Sequence, residues 1–110
     1  MPHLILEHNI EDEEAVKYVC KKLHGCLAKQ ETVKLESIKT RSVFVSSLVV
    51  GTGTKTQNFA HLNLKLLMGR SEDLKNTISQ NLLEVLKASL KNGVMSVEVN
   101  ELENYSKDSI

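Results

Sequence analysis

Met1-Pro2-His3-Leu4-Ile5-Leu6-Glu7-His8 opens the chain, and the reading of this stretch decides the fold. His3, Ile5 and Glu7 alternate with Leu4, Leu6 and His8. A period of two predicts a β-strand with one face turned inward. Pro2 is the only proline of the chain and stands directly before that strand. An initiator methionine is removed when the next residue is small, and proline qualifies, so the processed chain is expected to begin with a free prolyl nitrogen. An α-amino group titrates at roughly pH 7.7–8.0. Burial and nearby cations lower that value toward the range where a general base works at cellular pH. A strand can hold such an amine in place, whereas a frayed terminus cannot. The bland alternative is an inert Met-Pro start, which a dipeptide alone does not distinguish from a catalytic one.

Outward from this strand the chain alternates in type. Asn9 or Asp12 caps a helix that runs to about Gln30, with acidic residues in its first turn. Val16, Val19, Cys20, Leu23, Cys26 and Leu27 form its apolar stripe, and Lys17, Lys21, Lys22 and Lys29 lie mainly off it as a solvated face. Glu31 to Lys34 is a connector. A second strand region is expected from about Leu35 to Val50, on the strength of its β-branched residues. Gly51-Thr52-Gly53-Thr54 is a turn and not a phosphate loop, because the Gly-Lys-Ser/Thr signature and a following helix are both absent.

The third strand spans about Phe59 to Leu67. Ala60, Leu62, Leu64 and Leu66 share one face, and Phe59, His61, Asn63 and Lys65 share the other. Met68-Gly69-Arg70-Ser71 leads into a second helix, with Ser71 as cap and Glu72 and Asp73 in the first turn. Leu74, Ile78, Leu82, Val85, Leu86 and Leu90 form its stripe, and Asn92-Gly93 reads as its C-cap. A fourth strand covers about Met95 to Leu102. Glu103 to Ile110 is a polar tail, expected to fray.

The order β-α-β, then β-α-β, predicts an α/β sandwich: a four-stranded sheet with both helices on one face, forming a single domain over residues 1–102 with a tail at 103–110. The sheet's other face is expected to keep Val, Phe and Ile side chains, more than water tolerates, which points to an oligomer.

Composition narrows the function classes. The chain has 110 residues and equal numbers of basic and acidic side chains, 14 of each. Nothing in that balance advertises nucleic acid or an anionic membrane as partner. No apolar run approaches the roughly 20 residues of a membrane helix, and Met1-Pro2-His3 is not a basic signal-peptide start, so a cytoplasmic protein is expected. Cys20 and Cys26 lie on one helix about 9 Å apart along its axis, too far for a disulfide within it. They read as buried thiols. Cys20 and His24 have the spacing of two metal ligands on one face, but no further ligand completes a set at recognisable spacing.

Three anchors carry a resemblance: amino-terminal Pro2, the segment Ile38-Lys39-Thr40-Arg41, and the run Phe59-Ala60-His61-Leu62-Asn63-Leu64-Lys65 followed by Gly69-Arg70-Ser71. Together they resemble the 5-carboxymethyl-2-hydroxymuconate delta-isomerase family of the tautomerase superfamily, over nearly the whole chain. The resemblance implies a tautomerase-like β-α-β-β-α-β subunit in a homotrimer, with sites near subunit boundaries. It implies a cofactor-free, metal-free isomerase of aromatic catabolism that shuttles a proton within an unsaturated keto/enol dicarboxylic acid. Pro2 would be the catalytic base, and Arg70, Arg41 and Lys39 would bind substrate carboxylates. Lys39 stands where the family carries an arginine; it keeps the charge but loses the planar fork. His61 and Glu7 read as structural pairings rather than acid catalysts. The alternative is a trimeric scaffold or binding protein of the same fold with an inert Pro2.

Overall fold

The computed structural model describes residues 1–54 and 57–110. The elements follow the expected order: β1 (His3–His8), α1 (Glu13–Ala28), a 3-10 turn (Leu35–Ser37), β2 (Lys39–Phe44), β3 (Asn58–Leu67), α2 (Glu72–Ser89) and β4 (Gly93–Leu102). The four strands form one mixed sheet in the order β2-β1-β3-β4. β1 runs parallel to β2 and antiparallel to β3, and β3 runs parallel to β4. Each parallel pair is bridged by a helix, which is the geometry a parallel crossover requires.

Alternation sets the layers. Leu4 and Leu6 of β1 and Ala60, Leu62, Leu64 and Leu66 of β3 are buried. They meet Val19, Leu23 and Leu27 of α1 and Ile78, Leu82 and Leu86 of α2 in one core. Burial of this apolar surface is the main term holding the two layers together, at about 25 cal/mol per Å².

The ends of both helices obey local chemistry. Asp12, rather than Asn9, caps α1, its carboxylate accepting from the Glu14 and Ala15 amides. Asn9 instead ties the loop to β3: its side-chain oxygen accepts from the Phe59 N–H at 2.8 Å and its amide donates to the Gln57 carbonyl. Ser71 caps α2 by accepting from the Leu74 amide at 3.1 Å.

Three expectations need correction. The second strand is shorter than the Leu35–Val50 region predicted, ending at Phe44. β2 pairs only with β1, whose six residues are matched one for one from Lys39 to Phe44. Beyond the Val45 N–H, which bonds the His8 carbonyl, β1 turns away and leaves β2 no partner. Gly93 is not a helix cap but the first residue of β4, and a Cβ there would collide with the Asn58 backbone. The positive φ falls on Asn92 instead, at 58°.

The third concerns the open face of the sheet, which carries the expected Ile5, Val43, Phe59 and Val94 but mixes them with more polar side chains than the expectation named. Val43 and Val94 are exposed there. Register interleaves them with His3, Arg41, His61, Asn63, Lys65, Ser96, Glu98 and Asn100. An oligomer formed on this face would have to match a polar network as well as cover apolar side chains.

Candidate active site

The site is built from the head of β1. Pro2 is buried, and its carbonyl accepts from the Lys39 N–H at 3.0 Å. This bond extends the β1–β2 ladder past His3 and fixes Pro2 against the edge strand. The amino group, here on Met1, is held below its ordinary value, first by partial burial and then by the positive charges of Arg70, Lys39 and Lys107. Of the predicted cations, Lys39 is tied to this end by its backbone bond to Pro2, and the Arg70 charge also acts on the amino group. With Met1 attached, the Pro2 nitrogen is an amide and carries no basic lone pair.

Arg70 arrives through a turn that only a flexible backbone allows, since Gly69 before it has φ 116°. Its guanidinium is firmly held. Nε donates to Thr32 Oγ1 at 2.9 Å, Nη2 to the Thr32 carbonyl at 3.0 Å and Nη1 to the Leu67 carbonyl at 3.3 Å. A guanidinium has five N–H donors, so two remain for a ligand. Thr32 adopts φ 68°, a left-handed conformation that a β-branched residue rarely enters.

Arg41 lies elsewhere. Its Nη1 donates to His3 Nδ1 at 3.1 Å on the open face of the sheet. Because Nδ1 accepts, the His3 proton sits on Nε2, which meets Tyr105 Oη at 3.0 Å. The two rings are T-shaped, with centroids 5.6 Å apart. His3 titrates below its ordinary value because of burial and then the charges of Arg41, Lys39, the amino terminus and Lys65. In the single subunit, therefore, the charges of Lys39 and Arg70 act on the amino end while Arg41 serves His3.

The tail supplies what sequence reading missed. Residues 103–110 do not simply fray: Tyr105 docks on His3, and Lys107 Nζ reaches Met1 Sδ at 3.4 Å. The available signal was an aromatic residue inside a polar tail, in a chain with only two tyrosines and two phenylalanines. Thr32 carried no signal, since nothing in Glu31-Thr32-Val33 announces a positive φ.

His61 is a structural member of the open face, as expected. Its Nε2 bonds Glu98 Oε1 at 2.7 Å and its Nδ1 meets Ser96 Oγ at 2.6 Å. That hydrogen bond, followed by one from Asn100, holds the Glu98 carboxyl below the usual carboxylate range. Glu7 is exposed and forms no salt bridge among the described residues, so the structural pairing expected for it is not made.

The roomy hollows of the subunit lie away from this site. One of about 460 Å³ sits beyond the far end of β1, against His8, Ile10, Ser42 and Phe44. Another of about 540 Å³ lies between the helices, near Cys26 and Asn81. Cys20 and Cys26 are free, and His24 Nδ1 is engaged with Thr40 Oγ1 at 2.7 Å. Among the described residues no cluster of three or more His, Cys, Asp or Glu side chains could hold a metal ion. No helix of the described residues is long and apolar enough to cross a membrane.

A two-layer sandwich built from two β-α-β halves, with its amino terminus at the head of a central strand, defines the tautomerase fold. The profile of the 5-carboxymethyl-2-hydroxymuconate isomerase family matches residues 2–106. Solved structures share the fold. A 5-carboxymethyl-2-hydroxymuconate isomerase from Deinococcus radiodurans R1 is similar at 24% identity and TM-score 0.84, covering 98% of this chain and 90% of its own. A 5-carboxymethyl-2-hydroxymuconate delta-isomerase has TM-score 0.84 at 16% identity, covering 99% and 88%. A fused wild-type 4-OT symmetric trimer has TM-score 0.76 at 18% identity, covering 91% and 85%. No curated protein sequence matches the chain. The chain belongs to the 5-carboxymethyl-2-hydroxymuconate isomerase family of the tautomerase superfamily, a class of isomerases.

Proposed function

We propose that this protein is a cofactor-independent tautomerase of small unsaturated keto/enol dicarboxylic acids, with Pro2 as its general base once Met1 has been removed. One observation carries the reading: Pro2 is buried at the head of β1 with its carbonyl held by the Lys39 N–H, and the amino group there, on Met1, is held below its ordinary value first by partial burial and then by the charges of Arg70, Lys39 and Lys107. A depressed amine pKa leaves more of the free base at neutral pH, which is the form that abstracts a proton.

In the proposed reaction the Pro2 nitrogen takes the proton of the enol, or of the carbon beside the carbonyl. The electron pair moves through the conjugated system, and the proton returns to a different carbon as the ketone forms. Nothing is oxidised or reduced and no group leaves, so the step needs no cofactor or metal. Lys39 and Arg70 bind and orient the carboxylates, and their charge stabilises the dienolate that develops on proton removal. Arg70 stands at the entrance of α2, where free backbone N–H groups also favour an anion. Arg41, held on the open face by His3, would act on a carboxylate presented across a subunit boundary. The assembly we favour is a homotrimer, by analogy with the fused 4-OT symmetric trimer of similar fold, and a cytoplasmic setting suits a small-molecule isomerase of aromatic catabolism.

The competing reading is a scaffold that keeps the fold without the chemistry. It is favoured by the three Arg70 donors already spent on Thr32 and Leu67 and by a lysine where the family has a forked arginine. The test is Pro2→Ala in protein lacking Met1. The proline reading expects an intact fold with most turnover lost, because a primary amine is a different base in a different geometry. Turnover equal to the parent's would overturn it.

A further inference from the structure

The carboxyl-terminal tail is drawn in to the amino-terminal cluster from outside the sandwich. Tyr105 is fixed in two ways, by its hydroxyl on His3 Nε2 at 3.0 Å and by edge contact between the rings. His3 is itself braced from the other side by Arg41. Two residues beyond this anchor, Lys107 extends back over the start of the chain and places its ammonium 3.4 Å from Met1 Sδ. A thioether is a weak acceptor and a poor partner for an ammonium. Lys107 also acts on the amino group of Met1, as the smallest of the charges that lower it, and removal of Met1 takes the thioether away and leaves the ammonium without that partner.

We propose that Lys107 is a substrate-binding residue of this site, a cation that receives one carboxylate of a dicarboxylic acid, and that Tyr105 is the positioning residue that delivers it. The inference rests on the tautomerase reading of Pro2 and deepens it by assigning the dicarboxylate preference to the tail. It also answers a deficit of the site. Lys39 offers a point charge rather than a planar fork, and Arg70 has only part of its donor set free. A third cation restores the charge needed to hold a dianion. A flexible lysine on a tail adapts to the position of the distal carboxylate, which a rigid strand residue cannot.

The experiment compares parent protein lacking Met1 with Lys107→Ala, Lys107→Arg and Tyr105→Phe. Turnover is measured on 2-hydroxymuconate, an enol diacid, and on 2-hydroxypenta-2,4-dienoate, its monoacid counterpart. Lys107→Ala is expected to raise KM for the diacid about two- to fivefold, the scale of a solvent-exposed ion pair, with kcat little changed and the monoacid unaffected. Lys107→Arg should restore the parent KM, and Tyr105→Phe should show a smaller loss confined to the diacid. Equal losses on both acids, or none, would overturn the proposal.

A binding measurement separates this proposal from the Pro2 reading. Muconate and sorbate differ only in the second carboxylate, and neither needs to react. If the parent turns over neither enol acid, the Pro2 mechanism fails, yet titration of backbone NMR signals with the two acids still decides Lys107. A preference for muconate that Lys107→Ala abolishes supports it. A parent without that preference, or a variant that keeps it, contradicts it.

Discussion

Arg70 holds Thr32 at two points, through Nε to the side-chain oxygen at 2.9 Å and through Nη2 to the carbonyl at 3.0 Å. At the same residue the backbone enters the left-handed region, with φ 68°. A backbone outlier beside a proposed substrate-binding side chain is a recognised association, with a strain of about 1–3 kcal/mol. The entrance of α2 and the loop after α1 are thereby locked to each other.

This strain can be measured by comparing two variants that both lose the hydroxyl. Thr32→Gly should be more stable than Thr32→Ala by about 1 kcal/mol, because only glycine enters the left-handed region without steric cost. Urea midpoints at one pH give the difference. Equal stability would mean that the loop relaxes and Thr32 is not strained.

Arg70→Ala should weaken binding of dicarboxylates more than of monocarboxylates, by about tenfold or more if a charge-assisted hydrogen bond of about 1.5–3 kcal/mol is lost. Arg70→Lys should not restore it, because an ammonium cannot hold Thr32 twice and still present a fork. The ratio of KM values for the two acid classes is the readout, and equal losses would argue against a carboxylate clamp.

Gly93→Ala should destabilise the fold by about 1–3 kcal/mol, the usual cost of forcing an extra methyl into a filled space. The obstructing atoms belong to the Asn58 backbone, where β3 and β4 begin their pairing, and cannot rotate aside. Thermal unfolding compared with the control Gly25→Ala, a half-buried helix position where a Cβ meets nothing, separates the steric effect from the general effect of glycine replacement.

Acid should weaken the fold partly through His8. This residue is buried on the core face, and burial holds its pKa below the ordinary 6.5. The unfolded chain then binds the proton more readily than the folded one, and stability is full above pH 6.5 and declines as pH falls from there through the folded value. His3 shifts in the same direction. His8→Leu should therefore flatten the loss of stability between pH 7.5 and 5 without abolishing it. An unchanged slope would exclude His8 as a contributor.

What the sequence disclosed follows from which interactions are local. The alternation in β1 and β3 and the 3.6-residue stripes of α1 and α2 record burial on one face, so the layers and the core could be read before any coordinate. The Ser71 cap was legible too. The end of β2 was not legible, because Val45, Val49 and Val50 are good strand residues and only the length of β1 denies them a partner. Asn92-Gly93 reads as a helix cap, while the glycine answers to Asn58, more than thirty residues away. Tyr105 on His3 joins the two ends of the chain, a contact that no local pattern encodes.

The central claim is that a free prolyl nitrogen performs the chemistry. The most direct measurement takes two preparations of verified intact mass, one lacking Met1 and one retaining it, and follows ketonisation of 2-hydroxymuconate by ultraviolet absorbance. The processed chain should turn over rapidly, and the chain that keeps Met1, where Pro2 is an amide, should not turn over at all. Equal rates from the two preparations would contradict the claim, and so would a processed chain that leaves the enol unchanged.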